Sequence, residues 1–103
     1  MKVKNIEIPI PDITRLCQKH HINKFALFGS VLRDDFNPDS DIDVLVEFNP
    51  KHIPGFIKLY QIQEEISQLF NSRKIDLVTP KFLNYQIKDK ILAEMEVFYA
   101  KKE

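Results

Sequence analysis

The 103-residue sequence has one cysteine, two glycines, no tryptophan and no excess of either charge, with fifteen Lys and Arg against fifteen Asp and Glu. Each shortage excludes something. A lone cysteine, Cys17, rules out an intramolecular disulfide and any multi-cysteine zinc or iron-sulfur site, and it suits a reducing compartment, so a cytoplasmic location is expected. Two glycines, Gly29 and Gly55, cannot make a GxGxxG dinucleotide loop, and Gly29-Ser30 lacks the Gly-Lys that would complete a Walker loop. Zero net charge provides no broad basic field for a nucleic acid backbone, so nucleic acid binding is not indicated. No apolar run approaches the roughly eighteen residues of a membrane span, and the opening MKVKNIEIPIPD has no run of signal-peptide length. The expectation is a soluble protein with no membrane partner.

What is present is the balance of an ordinary folded chain: 44% hydrophobic and 29% charged residues, with eight Phe and three Tyr. No repeat or linker-like tract divides it, so residues 1–103 are expected to form a single domain. The breakers mark the joints of an α/β (α+β) alternation, a small mixed sheet with helices packed on it. Pro11-Asp12 opens a helix running to His20, with Asp12 as its N-cap. The spacing then predicts a strand over 24–28, a short helix from Ser30 to Arg33, turn chemistry over 34–40 around Asn37-Pro38, and a strand over 41–48. After Pro54-Gly55 comes an amphipathic helix, with Phe56, Leu59, Tyr60, Ile66, Leu69 and Phe70 on one face and Glu64 and Glu65 on the other, stopped by Asn71-Ser72. A strand over 74–79 ends at Pro80, Leu83, Ile87, Ile91 and Met95 mark a last helix, and residues 96–100 form a closing strand.

The chemistry concentrates between Asp34 and Glu47, where Asp34, Asp35, Asp39, Asp41, Asp43 and Glu47 gather with no cation among them. Side chains at i and i+2 of a strand share a face, so Asp41 and Asp43 stand together while Ile42, Val44 and Val46 face the core. A calcium loop fails, because its sixth position would be Val44 instead of glycine and its twelfth Pro50 instead of glutamate. Upstream, Gly29 lets the backbone approach closely, and Ser30 opens a turn whose free N–H groups suit phosphate oxygens. Downstream, Asp76 interrupts the apolar strand Ile75, Leu77, Val78, a costly position for an acid without a partner. A phosphate cradle, two carboxylates ten residues on and a third on another strand are the inventory of magnesium-assisted nucleotidyl transfer.

The stretch Phe28-Gly29-Ser30-Val31-Leu32-Arg33-Asp34-Asp35-Phe36-Asn37-Pro38-Asp39-Ser40-Asp41-Ile42-Asp43-Val44-Leu45-Val46 resembles the GS, ten residues, DxD motif of the DNA polymerase β nucleotidyltransferase superfamily. More narrowly it is similar to the minimal nucleotidyltransferase (MNT) antitoxins of HEPN ribonuclease toxins, in which the KIDLV strand with Asp76 and the ending over 91–99 also have counterparts. It departs from the commoner GSxARG form at Leu32 and Asp34, which bears on how Arg33 is presented. The resemblance implies a polymerase β-like fold in which Asp41 and Asp43 ligate Mg²⁺, Asp76 completes the metal and catalytic set, and Gly29 and Ser30 hold the triphosphate. It implies an Mg²⁺-dependent protein adenylyltransferase, an antitoxin that moves AMP from ATP to a tyrosine of a HEPN toxin.

Asp76 is then the best base candidate, and Arg33 either steadies phosphate charge or pairs with Asp34 or Asp35. The twenty-seven residues after Asp76 are too few to wall in a small acceptor, which favours a macromolecular one. Two alternatives stay open: an antitoxin that acts by binding alone, and a transferase acting on an aminoglycoside-type molecule. His20-His21 reads as the polar end of the first helix, Cys17, Phe56, Tyr60 and Phe70 as core, and Lys101-Lys102 as a solvated tail.

Overall fold

The structure is a computed structural model that describes residues 2–3, 6–34 and 36–101, with side chains left aside at 2, 3 and 82. Asp35 of the acidic stretch and Lys102 lie outside the described residues. The chain opens with a two-strand antiparallel hairpin, β1 (Lys2–Val3) and β2 (Ile6–Glu7), which the sequence reading missed because its strands are too short to show a period. Helix α1 (Ile10–Lys19) starts earlier than expected. Pro9 occupies the cap, and Asp12 sits inside the first turn paired with Arg15, so the predicted Asp12 cap is corrected.

Strands β3 (Ile22–Phe28), β4 (Ile42–Phe48), β5 (Ile75–Val78) and β6 (Glu96–Ala100) form one mixed sheet in the order β5-β4-β3-β6. β3 runs antiparallel to β4 and β6, whereas β4 and β5 are parallel. The parallel step follows from the long crossover through helix α2 (Phe56–Leu69), since parallel neighbours cannot be joined by a tight turn. Period-2 alternation then sorts the residues. Phe25, Leu27, Ile42, Val44, Val46 and Ile75 pack with Ile13, Cys17, Ile62, Ile66 and Phe70 in the main core beneath α1 and α2. Ala26 and Leu45 face the other way, against Ile91 of helix α3 (Tyr85–Glu94). Burying each large aliphatic or Phe side chain contributes about 1.5–3 kcal/mol, so the larger cluster dominates the stability of the sheet. Cys17 belongs to it as read, and burial pushes its thiol up to about 12.

Helix α2 overturns part of the sequence reading. Its buried positions are Ile62 and Ile66, and Phe70 follows at the cap, but Phe56 is 83% exposed and Tyr60 62% exposed. Glu65 does not face solvent opposite the apolar residues. It turns toward α1, where its carboxylate meets Lys19 Nζ at 2.8 Å and His20 Nε2 at 2.5 Å. Burial raises the Glu65 carboxyl, and the hydrogen bonds from Lys19 and His20 outweigh this and hold it below its ordinary value. His20 is accordingly a buried cap residue rather than a solvated helix end, while His21 takes a left-handed φ of 57° and stacks on His52.

Helix α3 is capped by Asn84, whose side chain accepts from Ile87 N–H at 3.0 Å, so it begins two residues after Leu83. Ile91 is its buried residue, and Ile87 is half exposed. Lys101 N–H donates to Asn23 O at 2.8 Å, so its backbone extends the pairing of β6 with β3 instead of trailing into solvent.

Candidate functional site

β3 ends at Phe28, and the chain turns at Gly29 into a four-residue 3-10 turn, Gly29–Leu32, closed by Arg33 N–H donating to Ser30 O at 2.9 Å. The turn is held down by Val31, which is fully buried in the main core, so Gly29 and Ser30 are presented beside the sheet by packing as well as by hydrogen bonding. Gly29 has φ +76°, a conformation open to glycine and strained for other residues. A Cβ there would overlap Asp43 Oδ2 and lie 3.1 Å from Asp43 Cγ. The glycine is therefore the only residue that lets this backbone lie directly against the Asp43 carboxylate.

Register does the rest. Asp43 is paired with Phe28 on one side and with Asp76 on the other, so the turn after β3, the start of β4 and the start of β5 are level across three strands. Asp43 and Asp76 occupy the same face as Leu45, which Ile91 of α3 covers; α3 thus closes this face just beyond Asp43 and leaves the carboxylates open. Asp41 immediately precedes β4, which begins one residue later than expected, at Ile42. Asp76 is exposed, which resolves the apparent cost of an acid in an apolar strand.

The three carboxylates feel one another. Burial, the charges of Asp76 and Asp41, and a hydrogen bond with Asp76 push Asp43 up to about 6, and Arg33 opposes them. Arg33 is exposed, with its charge felt at Asp43 rather than confined to its acidic sequence neighbours. The local sequence gave no cation for this acidic stretch, but the fold brings some from β5's side. Lys74 Nζ lies 3.9 Å from Asp41 Oδ2. Arg73, which the sequence reading did not single out, donates to Asn37 O and Ser40 O at 2.8 Å each and stands 4.5 Å from the centre of the Phe36 ring. It pins the 36–40 turn and hence the approach to Asp41, a role with no sequence motif because its partners are about thirty-five residues away. Within that turn Asn37 Oδ1 accepts from Asp39 N–H at 2.8 Å, the Asx geometry the composition suggested. Asp34 and Asp39 are exposed.

Among the described residues no three His, Cys, Asp or Glu side chains close into a ready-made metal cage. Magnesium commonly takes only one or two protein carboxylates and fills its remaining positions with water and phosphate oxygens. Asp41 and Asp43 are hard oxygen donors of this kind, and the raised Asp43 marks a concentration of negative charge that a divalent cation would relieve.

The polymerase β nucleotidyltransferase family matches residues 12–103, a span that holds every feature just described. The chain belongs to this family. Its relatives within the nucleotidyltransferase family include the protein adenylyltransferase MntA of Thermococcus cleftensis, 31% identical over 80 residues that make up 78% of each chain. The fold superposes on a crystal structure of a toxin-antitoxin with AMP-PNP with a TM-score of 0.73 at 16% identity, covering 92% of this chain and 76% of that one. It also superposes on the structure of a tri-AMPylated Shewanella oneidensis HEPN toxin in complex with its MNT antitoxin, with a TM-score of 0.64 at 16% identity over 89% of this chain and 70% of that one. The expected polymerase β-like nucleotidyltransferase fold is thereby established.

Proposed function

We propose that this nucleotidyltransferase is an antitoxin that transfers AMP from ATP to a tyrosine of a cognate HEPN ribonuclease toxin, with Mg²⁺ as its cofactor. The observation that carries the proposal is the Asp43 carboxylate packed against Gly29 and level with Asp76, which puts a phosphate-binding turn and an acid pair within one ligand's reach. The adenylyltransferase relative and the AMPylated toxin beside an MNT antitoxin support the choice of reaction and acceptor.

Mg²⁺, held by Asp41 and Asp43 with Asp76 beside them, would neutralise triphosphate charge and lower the barrier to attack by a hydroxyl. Gly29 and Ser30 bind the phosphates through their backbone and the Ser30 hydroxyl, and Arg33 adds positive charge at the same end of the sheet. Asp76, exposed and adjacent to Asp43, accepts the phenolic proton. The tyrosine oxygen forms a bond to the α-phosphorus, the bond from that phosphorus to the α,β-bridging oxygen breaks, and pyrophosphate leaves. A phenol with a pKa near 10 needs little basic help, so an ordinary carboxylate is sufficient.

The test is intact-mass analysis of a cognate HEPN-domain toxin after incubation with the chain, ATP and Mg²⁺. Increments of AMP that disappear with Asp41→Asn/Asp43→Asn are expected. A toxin that is inhibited but keeps its mass would overturn the reaction and leave an antitoxin that works by binding.

A further inference from the structure

A cluster of exposed apolar side chains lies away from this site, at the start of α2, where Ile53, Phe56, Ile57 and Tyr60 are 61%, 83%, 80% and 62% exposed. It borders a cleft of about 170 Å³ at the far ends of β4 and β5, floored by Phe48 and Leu59 and flanked by Thr79 and Lys81. Scattered exposed hydrophobics need no explanation, but four large ones beside an apolar cleft mark a surface built to be covered.

Two further observations say what covers it. The stretches that form it, 48–60 and 79–81, contain no Asp or Glu, yet carry Lys51, His52, Lys58 and Lys81. In a chain of zero net charge this is a local cationic rim, and it disfavours a second copy of the same face, which would set lysine against lysine. The aliphatic share of the patch, from Ile53, Pro54, Ile57 and Leu59, suits a protein side better than stacked bases.

We infer that this face docks the protein acceptor, and that it takes an acceptor helix whose apolar stripe is flanked by carboxylates. The inference rests on the proposed function for the acceptor's identity. Phe48 lies five residue steps along β4 from Asp43, about 16 Å at the rise of a β-strand, so the docked helix and the modified tyrosine are different parts of one large partner. Substrate capture and chemistry are thereby placed at opposite ends of the same two strands. This explains how so small a catalyst selects a macromolecule without a walled pocket.

The experiment compares wild type, Phe56→Ser/Ile57→Ser and Lys58→Glu, all at exposed positions, with circular dichroism as the check on folding. Affinity for the cognate HEPN-domain toxin is read by calorimetry, and AMP transfer by steady-state kinetics. The double variant should bind at least tenfold more weakly and raise KM for the toxin by a similar factor with kcat within twofold; Lys58→Glu should weaken binding most at low salt. Wild-type affinity in both variants overturns the inference. So does a wild-type dimer by sedimentation, or oligouridylate binding, that the double variant abolishes, because either would assign the face to another occupant. If wild type binds the toxin without adding AMP, the reaction fails and the docking face is still decided by the affinities.

Discussion

Gly29→Ala tests the geometry at its tightest point. Two costs combine. Alanine at φ +76° is held in the left-handed region, which costs roughly 1–2 kcal/mol for an L-residue. Its Cβ also overlaps the Asp43 carboxylate, so either the turn or Asp43 must move. The loss of unfolded-state entropy with alanine returns only about 0.4–1 kcal/mol. The expected net destabilisation is about 2 kcal/mol, which in a domain of this size lowers Tm by roughly 10 °C. Activity should fall further than stability, since a displacement near 1 Å at a reacting centre costs on the order of 100-fold. Thermal melting and the initial rate of AMP transfer, measured on the same preparation below the variant's melting range, separate the two effects. Gly55→Ser serves as the contrast: nothing lies within 4 Å of a Cβ there, and a serine at the uncapped start of α2 should be neutral or stabilising by a few tenths of a kcal/mol. A Gly29→Ala protein with wild-type melting and wild-type transfer would refute the close approach on which the site depends.

Three further predictions address the charges around the site and its supports. Asp43 is pushed up to about 6, so in the metal-free protein its charge destabilises the fold above pH 6, and that cost fades as the group protonates. Asp43→Asn should therefore melt higher than wild type at pH 7.5 without Mg²⁺, the gap closing as pH falls through 6 toward 4; a pH-independent gap would contradict the assignment. Arg73→Ala removes both bonds to the 36–40 turn and its contact with Phe36, and should open that turn to limited proteolysis and slow transfer at least tenfold, whereas Arg73→Lys keeps the charge but not the fork and should recover only part. Glu65→Ala strands the buried His20 and should cost about 1–2 kcal/mol by chemical denaturation at pH 7. Glu65 is held below its ordinary value, so its contribution is present above about pH 4.5 and is lost as pH falls through its lower native value; a loss that stayed constant into strong acid would point to packing instead.

Most of the sheet and of the site could be read from local pattern. The apolar run over 24–28, the alternation over 42–48 and the Gly29-Ser30 to Asp41/Asp43 spacing are short-range signals, and each matches an element or a contact of the fold. The failures share a cause in long-range packing. Phe56 and Tyr60 have helical spacing with Ile66, but α2 turns Ile62 and Ile66 inward, and the first turn overhangs the ends of β4 and β5 with nothing above it. Glu65 looks like a solvated acid until α1 brings Lys19 and His20 against it. Arg73 was silent for the same reason, since a side chain that bonds two distant carbonyls leaves no trace in its own neighbourhood. Asp12 is a different case: read as an N-cap, it lies inside the first turn, because Pro9 takes the cap position and α1 begins before it with no side-chain cap.

The brevity of β5 has a consequence for how the molecule matures. Four residues supply the third carboxylate at Asp76, and the two residues just before them supply Arg73 and Lys74 to the acidic turn, across separations such as the 33 residues between Arg73 and Ser40. The β3–β4 pairing involves more residues and joins strands that are neighbours in sequence, whereas β5 must be delivered by the whole of α2 before it can zip onto β4. Loop-closure entropy of that kind is met late in folding. A chain with every other strand in place would still have two acids, an untethered turn and no Asp76 beside Asp43. Nucleotide affinity should consequently appear only once β5 is in place, making ligand binding a gauge of this docking step and letting ATP select molecules that have completed it.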